Sequence, residues 1–186
     1  MNYLAAAMTV MLSIVVASIG FNPYDARAES ARELEQDART KLGRLTSSVP
    51  AARELSKRAK GVLVFPEVVK AGLMIGGQYG EGVLFKGGKA AGFYNTAGAS
   101  YGLQAGAQKF GFALFFMSDK ALAYLGKSEG FEVGVGPSVV VMDEGMGKHA
   151  SSSTLTEDIY AFIFSQSGLM AGLGIQGNKI TKIDKK

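Results

Sequence analysis

Few side chains in this sequence could carry covalent chemistry. There is a single histidine, His149, and no cysteine at all. Disulfides, thiolate metal sites, cysteine nucleophiles and a lipid-modified N-terminal cysteine are therefore excluded. Zinc enzymes and histidine-based triads need histidines held in fixed geometry beside a partner, which one isolated imidazole does not supply. Ser151, Ser152 and Ser153 follow His149 in a Gly/Ser/Thr-rich stretch, but no Gly-x-Ser-x-Gly elbow presents a nucleophile. Asp143-Glu144 and Glu157-Asp158 are paired acids whose adjacent carboxylates point apart. The glycine-rich runs Gly76–Gly82 and Gly87-Gly88-Lys89 lack the Gly-Lys-Ser/Thr ending of a phosphate loop and do not open a helix. No residues stand at metal-ligand spacing. The expectation is a non-enzymatic protein with no cofactor and no metal. The weakest of three functional readings, a hydrolase built on the His149 stretch, would be removed by a His149→Ala variant of unaltered activity.

The charged residues say more. Arg53, Lys57 and Lys60 are spaced by four and three residues, so they share one helical face, with Arg58 beside them and Lys70 following soon after. Val49, Leu55 and Val62 lie in and beside this segment as an apolar grip. A basic amphipathic helix binds anionic lipid head groups through Coulomb attraction plus partial burial. The plain alternative is a solvated charged face. A third reading docks the same face on a protein partner in the cell envelope. Nucleic acid is a poor match for a net charge of +4 without an interleaved basic and aromatic pattern. The expected lipid-binding residues are Arg53, Lys57, Arg58, Lys60, Lys70 and Leu55.

The elements that position them follow from periodicity. Ala31, Leu34, Ala38, Leu42 and Leu45 recur at three- and four-residue spacing, predicting a helix over 29–46. Ser47-Ser48-Val49-Pro50 breaks it, and Pro50 opens a second helix that runs to about Ala59 and ends at Gly61. Val62–Phe65 reads as a short strand stopped by Pro66. Leu73–Phe85 and Ala90–Gln108 are long and strand-like, joined by a hairpin signal at Lys86-Gly87-Gly88-Lys89. Phe110–Met117 is continuously apolar, as in a strand buried on both faces. Ser118 or Asp119 caps a short helix over Lys120–Leu125. Phe131–Gly136 and Leu169–Gln176 alternate as strands, Ile159–Phe164 is another, and Asp143–Glu157 reads as a surface loop. The recurrent strand glycines point to close backbone approach, with a shallow, backbone-lined groove for an acyl chain as the functional alternative. The fold class is α+β: N-terminal amphipathic helices, then a glycine-rich, mostly antiparallel, curved or barrel-like sheet with one short inserted helix.

At the N-terminus, Leu4–Ile19 is nearly all apolar, and its sixteen residues fall short of the ~20 a membrane span needs. Ala26-Arg27-Ala28 offers a small-x-small cleavage site, so residues 1–28 read as a signal peptide and 29–186 as one domain, helical over 29–60 and β-rich over 61–186. An uncleaved anchor is the alternative. Either way the expected location is periplasmic or secreted, with peripheral membrane association.

Ala59-Lys60-Gly61-Val62-Leu63-Val64-Phe65-Pro66 resembles the opening of the SYLF-domain family. Val69-Lys70-Ala71-Gly72, Gly76–Leu84, Phe93-Tyr94 and Gly98–Gln108 continue the pattern in order, and Gly168–Gly177 is similar to its closing segment. The resemblance spans about Leu55 to Lys182. It implies a lipid-binding module. Eukaryotic members are associated with phosphoinositides and actin, an N-terminal amphipathic segment is implicated in membrane contact, and bacterial relatives are commonly exported envelope proteins. Two departures stand out: the chain has no cysteine for a lipid anchor, and Phe164-Ser165-Gln166-Ser167 lacks a basic residue before Gly168. Actin binding is not carried over to an exported bacterial-type member. The implied partners are an anionic phospholipid or membrane surface, or an envelope protein.

Overall fold

A computed structural model describes residues 30–126, 130–149, 156–168, 175 and 177–186. The signal-peptide reading of 1–28, the serines 151–153 and most of the alternating run 169–176 lie outside the described residues.

Helix α1 (Ala31–Ser48) begins where Ser30 and Glu33 form a reciprocal capping box. The Ser30 hydroxyl accepts from the Glu33 amide at 3.3 Å, and the Glu33 carboxylate accepts from the Ser30 amide at 3.0 Å. Leu34, Ala38 and Leu45 form its buried stripe. Helix α2 (Pro50–Arg58) follows after a one-residue break, with Pro50 in its first turn, where a missing amide proton costs nothing.

Two very long strands follow, β1 (Gly61–Lys86) and β2 (Lys89–Phe116), antiparallel along nearly their whole length. Their connection is the tight turn read from the sequence: Gly87 and Gly88 adopt φ of 54° and 76°, the left-handed pair that a two-residue hairpin requires. Pro66 does not end a strand. The register shifts between Phe65 and Val68, so the residue that cannot donate a ladder hydrogen bond sits in an irregularity and the strand runs on. The apolar run from Phe110 likewise continues β2 instead of forming its own strand.

Further elements are helix α3 (Asp119–Ala123), capped by the Ser118 hydroxyl and extended by a 3-10 turn, and strands β3 (Phe131–Glu132) and β4 (Val139–Asp143). Helix α4 (Glu144–His149) and strands β5 (Ile159–Gly168) and β6 (Lys179–Ile183) complete them. Strand β3 is far shorter than the alternation over Phe131–Gly136 suggested, because Gly134 and Gly136 turn the backbone at φ of 97° and 102°. Strands β4 and β6 were not anticipated, and part of the expected loop after Asp143 is helix α4. The sheet order is β3-β6-β2-β5-β4, with β1 on the other side of β2; β6 pairs with the turn end of β2 and β5 with its far end. Only β4 and β5 run parallel. The result is the expected α+β fold, a mostly antiparallel sheet curled into a half-barrel behind N-terminal helices, with a short helix inserted.

The curl folds β1 back on itself. A Cβ on Gly82 would lie 2.5 Å from the Val64 carbonyl oxygen, and one on Gly80 would lie 2.6 Å from that of Glu67. These glycines allow the two limbs of one strand to approach backbone to backbone, which settles their role as close packing at these positions. Alternate residues then feed two cores. On the outer face Val62, Val64, Val83, Phe85, Ala113, Phe115, Tyr160, Phe162 and Phe164 pack with Leu34, Leu45, Val49 and Leu55 of the helical segment. On the inner face Leu63, Phe65, Phe110, Phe112, Leu114 and Phe116 pack with Ile159, Ile163 and Ile180. The reading of Phe110–Met117 as buried on both faces is correct for residues 110–116.

Candidate functional site

Helix α2 is a short, steeply amphipathic element. Ala51, Ala52 and Leu55 are buried against the outer face of the sheet, and Lys57 and Arg58 occupy its last turn, where positive charge favours the helix dipole. Lys60 is exposed just beyond, its amide donating to the Phe116 carbonyl at 2.8 Å. The structure therefore brings Lys57, Arg58 and Lys60 onto one exposed rim. Lys57 reaches back to Glu54 at 2.7 Å with 62% of its side chain exposed. That hydrogen bond, then the Lys57 charge, holds the Glu54 carboxyl below the usual carboxylate range. An ion pair this exposed is screened by solvent and holds Lys57 only weakly, so Lys57 remains available to an external anion.

Three expected site residues are placed differently. Leu55 is wholly buried, as are Val49 and Val62, so the helix offers no apolar grip. The reason is geometric: a nine-residue helix has one apolar stripe, and the sheet takes it. Lys70 is buried on the inner face of β1, the face opposite the one that α2 covers, and does not join the basic rim. Arg53 is exposed but its guanidinium is engaged, donating to the Thr46 carbonyl at 2.9 Å and the Ser47 carbonyl at 2.7 Å. It satisfies orphan carbonyls at the end of α1 and locks the two helices together.

A second basic group was missed. Arg39 lies 4.7 Å above the Phe85 ring, donates to the Gly88 carbonyl at 2.8 Å and pairs with Glu35 at 2.7 Å. It pins α1 to the hairpin turn, where Lys86 and Lys89 are exposed. The sequence signal was available in Lys86-Gly87-Gly88-Lys89, but nothing in it joined that turn to a residue almost fifty positions earlier.

The structure also shows an unfilled apolar surface. Beyond the helices, the outer face of the hairpin carries Val69 and Tyr79, 40% and 50% exposed, with exposed Ala71, Gly77, Ala97, Ala99 and Ala107 around them. Tyr79 donates to Glu81 at 3.1 Å; desolvation first, then that contact, raises its phenol above the usual range. Lys109 pairs with Glu67 at 2.9 Å, and Lys185 pairs with Glu81, so the rim of this surface is internally neutralised.

Elsewhere the catalytic candidates gain nothing. Asp143 is spent capping α4, its Oδ1 accepting from the Met146 amide at 2.7 Å, and His149 closes that helix. Among the described residues no three His, Asp or Glu side chains gather to hold a metal, and no helix is long and apolar enough to cross a membrane.

Residues 97–186 match the family described as Ysc84, Las17-binding protein actin regulator. The matched stretch begins in β2 and runs through β6, and its description is one of binding, not of catalysis. No curated protein matches the chain.

Proposed function

We propose that this chain, whose residues 97–186 carry a Ysc84 (SYLF) domain, is a non-enzymatic lipid-binding protein of the cell envelope. It contacts anionic phospholipid head groups through Lys57, Arg58 and Lys60, with Arg53 holding the helix that presents them. The observation that carries this reading is the division of α2: its apolar stripe is consumed by the core, and its cationic last turn and Lys60 are left in solvent. With no apolar grip on that helix, adsorption is electrostatic, reversible and weakened by salt, since the Debye length shortens from about 10 Å at 0.1 M to about 3 Å at 1 M. Each cation near an anionic surface contributes about 1 kcal/mol.

The test is co-sedimentation of the full chain with vesicles of phosphatidylglycerol in phosphatidylcholine, and of phosphatidylcholine alone, at low and moderate salt. Salt-sensitive binding to the anionic vesicles only, reduced at least tenfold in Lys57→Glu/Arg58→Glu with an unchanged unfolding temperature, is the expected result. Undiminished binding by that variant would remove the site assignment.

A second reading has its own observation. The bare Val69–Tyr79 surface, apolar and rim-neutral, suits a protein partner better than a charged membrane. Capture of an envelope protein that is lost in Tyr79→Ser and kept in Lys57→Glu/Arg58→Glu would favour it.

A further inference from the structure

The turn that joins β1 to β2 sets two like charges side by side. Lys86 and Lys89 are direct cross-strand partners, a register that places Cβ atoms about 4.5–5.5 Å apart and is destabilising for like charges. Both are exposed, and among the described residues no carboxylate pairs with either. Between them Gly87 and Gly88 have nothing within 4 Å of where a side chain would stand. The tip is therefore two ammonium groups flanking bare backbone. Arg39, itself paired with Glu35, holds this tip in place from α1 through the Gly88 carbonyl and the Phe85 ring. Lys182 of β6 adds a further exposed cation: its Cε lies 3.8 Å from where a Cβ on Gly92, three residues past Lys89, would stand.

The fold-back of β1 carries this turn to the Lys57–Arg58–Lys60 rim. Three contacts mark the path: Gly61 meets Leu84, Gly82 meets Val64, and Gly80 meets Glu67. As one number rises the other falls, so the two limbs of the strand run back alongside each other. They are closed at the bend and open at residues 61 and 86. At the open end a Cβ on Gly61 would lie 3.3 Å from Leu84 Cδ1. Lys60 is the residue before Gly61, and Lys86 lies two residues after Leu84, about 7 Å of strand. Helix α3, whose Leu122 also meets Gly61, adds Asp119 and Lys120, whose charges offset each other. Glu54 is paired with Lys57. Farther along β1 the lysines are neutralised, Lys109 by Glu67 and Lys185 by Glu81. The open end therefore carries positive charge well in excess of its carboxylates.

We propose that the Lys86–Lys89 turn is a second foot of the membrane contact made by the Lys57–Arg58–Lys60 rim, so that the domain stands edge-on with the open end of β1 against anionic head groups. The inference rests on the lipid reading above and adds a second set of residues and an orientation. A plane of lipid phosphates meets both feet at once and relieves the Lys86–Lys89 repulsion. It approaches the bare tip without displacing a side chain. In this pose the bend, with Val69 and Tyr79, points away from the bilayer and stays open to a protein partner.

Co-sedimentation of the full chain with vesicles of phosphatidylglycerol in phosphatidylcholine, at low salt, tests the second foot. Lys86→Gln/Lys89→Gln should weaken binding about thirtyfold, the loss expected for two cations at an anionic surface, without lowering the unfolding temperature. Joined to Lys57→Glu/Arg58→Glu it should abolish binding. Lys109→Gln/Lys179→Gln removes the same charge away from the open end and should weaken binding less than about threefold, because charge beyond a Debye length is screened. Undiminished binding by the turn variant, with binding still lost at the rim, overturns the second foot alone. Equal losses in the turn variant and in Lys109→Gln/Lys179→Gln mean that binding follows net charge, and overturn it too. Loss at the turn with undiminished binding by the rim variant keeps the turn and removes the rim. No binding by the unaltered chain overturns the second foot together with the lipid reading.

Discussion

The two ends of the long hairpin share one backbone ladder and differ in what hangs from it. At the base, residues 61–66 and 110–116 are buried on both faces, and Phe65 and Phe112 stack with centroids 4.6 Å apart. Along the bend, the described side chains of residues 69–72, 76–79, 97–99 and 106–108 are small or few outward, with Val69, Ala71, Tyr79, Ala97, Ala99 and Ala107, and polar inward, with Lys70, Gln78 and Gln108. Hydrogen bonding is common to both, so it decides neither burial nor function. Side-chain volume does: the base fills its two neighbouring layers, while the bend leaves its outer face bare and its inner face polar. Stability belongs to the first region, which the Lys57–Arg58–Lys60 cations adjoin, and the bare outer surface belongs to the second.

Substitutions can break this contrast. Phe112→Ala at the base should cost about 3–5 kcal/mol, the range for emptying a buried aromatic site, measured by denaturant unfolding. A loss under 1 kcal/mol would mean that the base is not the stabilising end. Gly82→Ala sets a Cβ against the Val64 carbonyl and should cost about 1–3 kcal/mol by overpacking. Gly77→Ala should do the opposite. Its nearest neighbour, the Gly98 carbonyl, is 3.9 Å away, so the reduced freedom of the unfolded chain should stabilise by about 0.4–1 kcal/mol. If the two glycine variants shift unfolding alike, the fold-back of β1 is not as described. The smallest effect is expected for Tyr79→Ser, within about 0.5 kcal/mol, as for an exposed residue without structural partners in a core. A larger, concentration-dependent loss would show that another copy covers the bare face.

Much of the architecture was readable because it rests on local rules. The capped helix, the proline-opened helix, the Gly-Gly turn and the doubly apolar run at Phe110 each follow from backbone sterics or periodicity within a few residues. The errors have an equally physical origin. Pro66 looked like a stop because a proline interrupts a regular ladder, yet an irregularity can absorb it. Phe131–Gly136 alternates like a strand, but its glycines were free to turn, and periodicity does not report φ. Leu55 and Lys70 were placed at a surface because nearness in sequence stood in for nearness in space. A helix and the strand after it can lie on opposite sides of a sheet.

The sequence alone determined that there is no cysteine chemistry, that two helices precede the sheet, which segments pair as a hairpin, and that positive charge gathers around residues 53–60. All of these depend on residue identity and on interactions within one or two turns of chain. Only the tertiary structure decided which cations remain in solvent, which glycines are close contacts, and that Lys70 lies buried across from Gln108 on the inner face of the hairpin. Those outcomes turn on how a single strand folds back across itself, and that path is set by packing between residues twelve to a hundred positions apart, which no local pattern records.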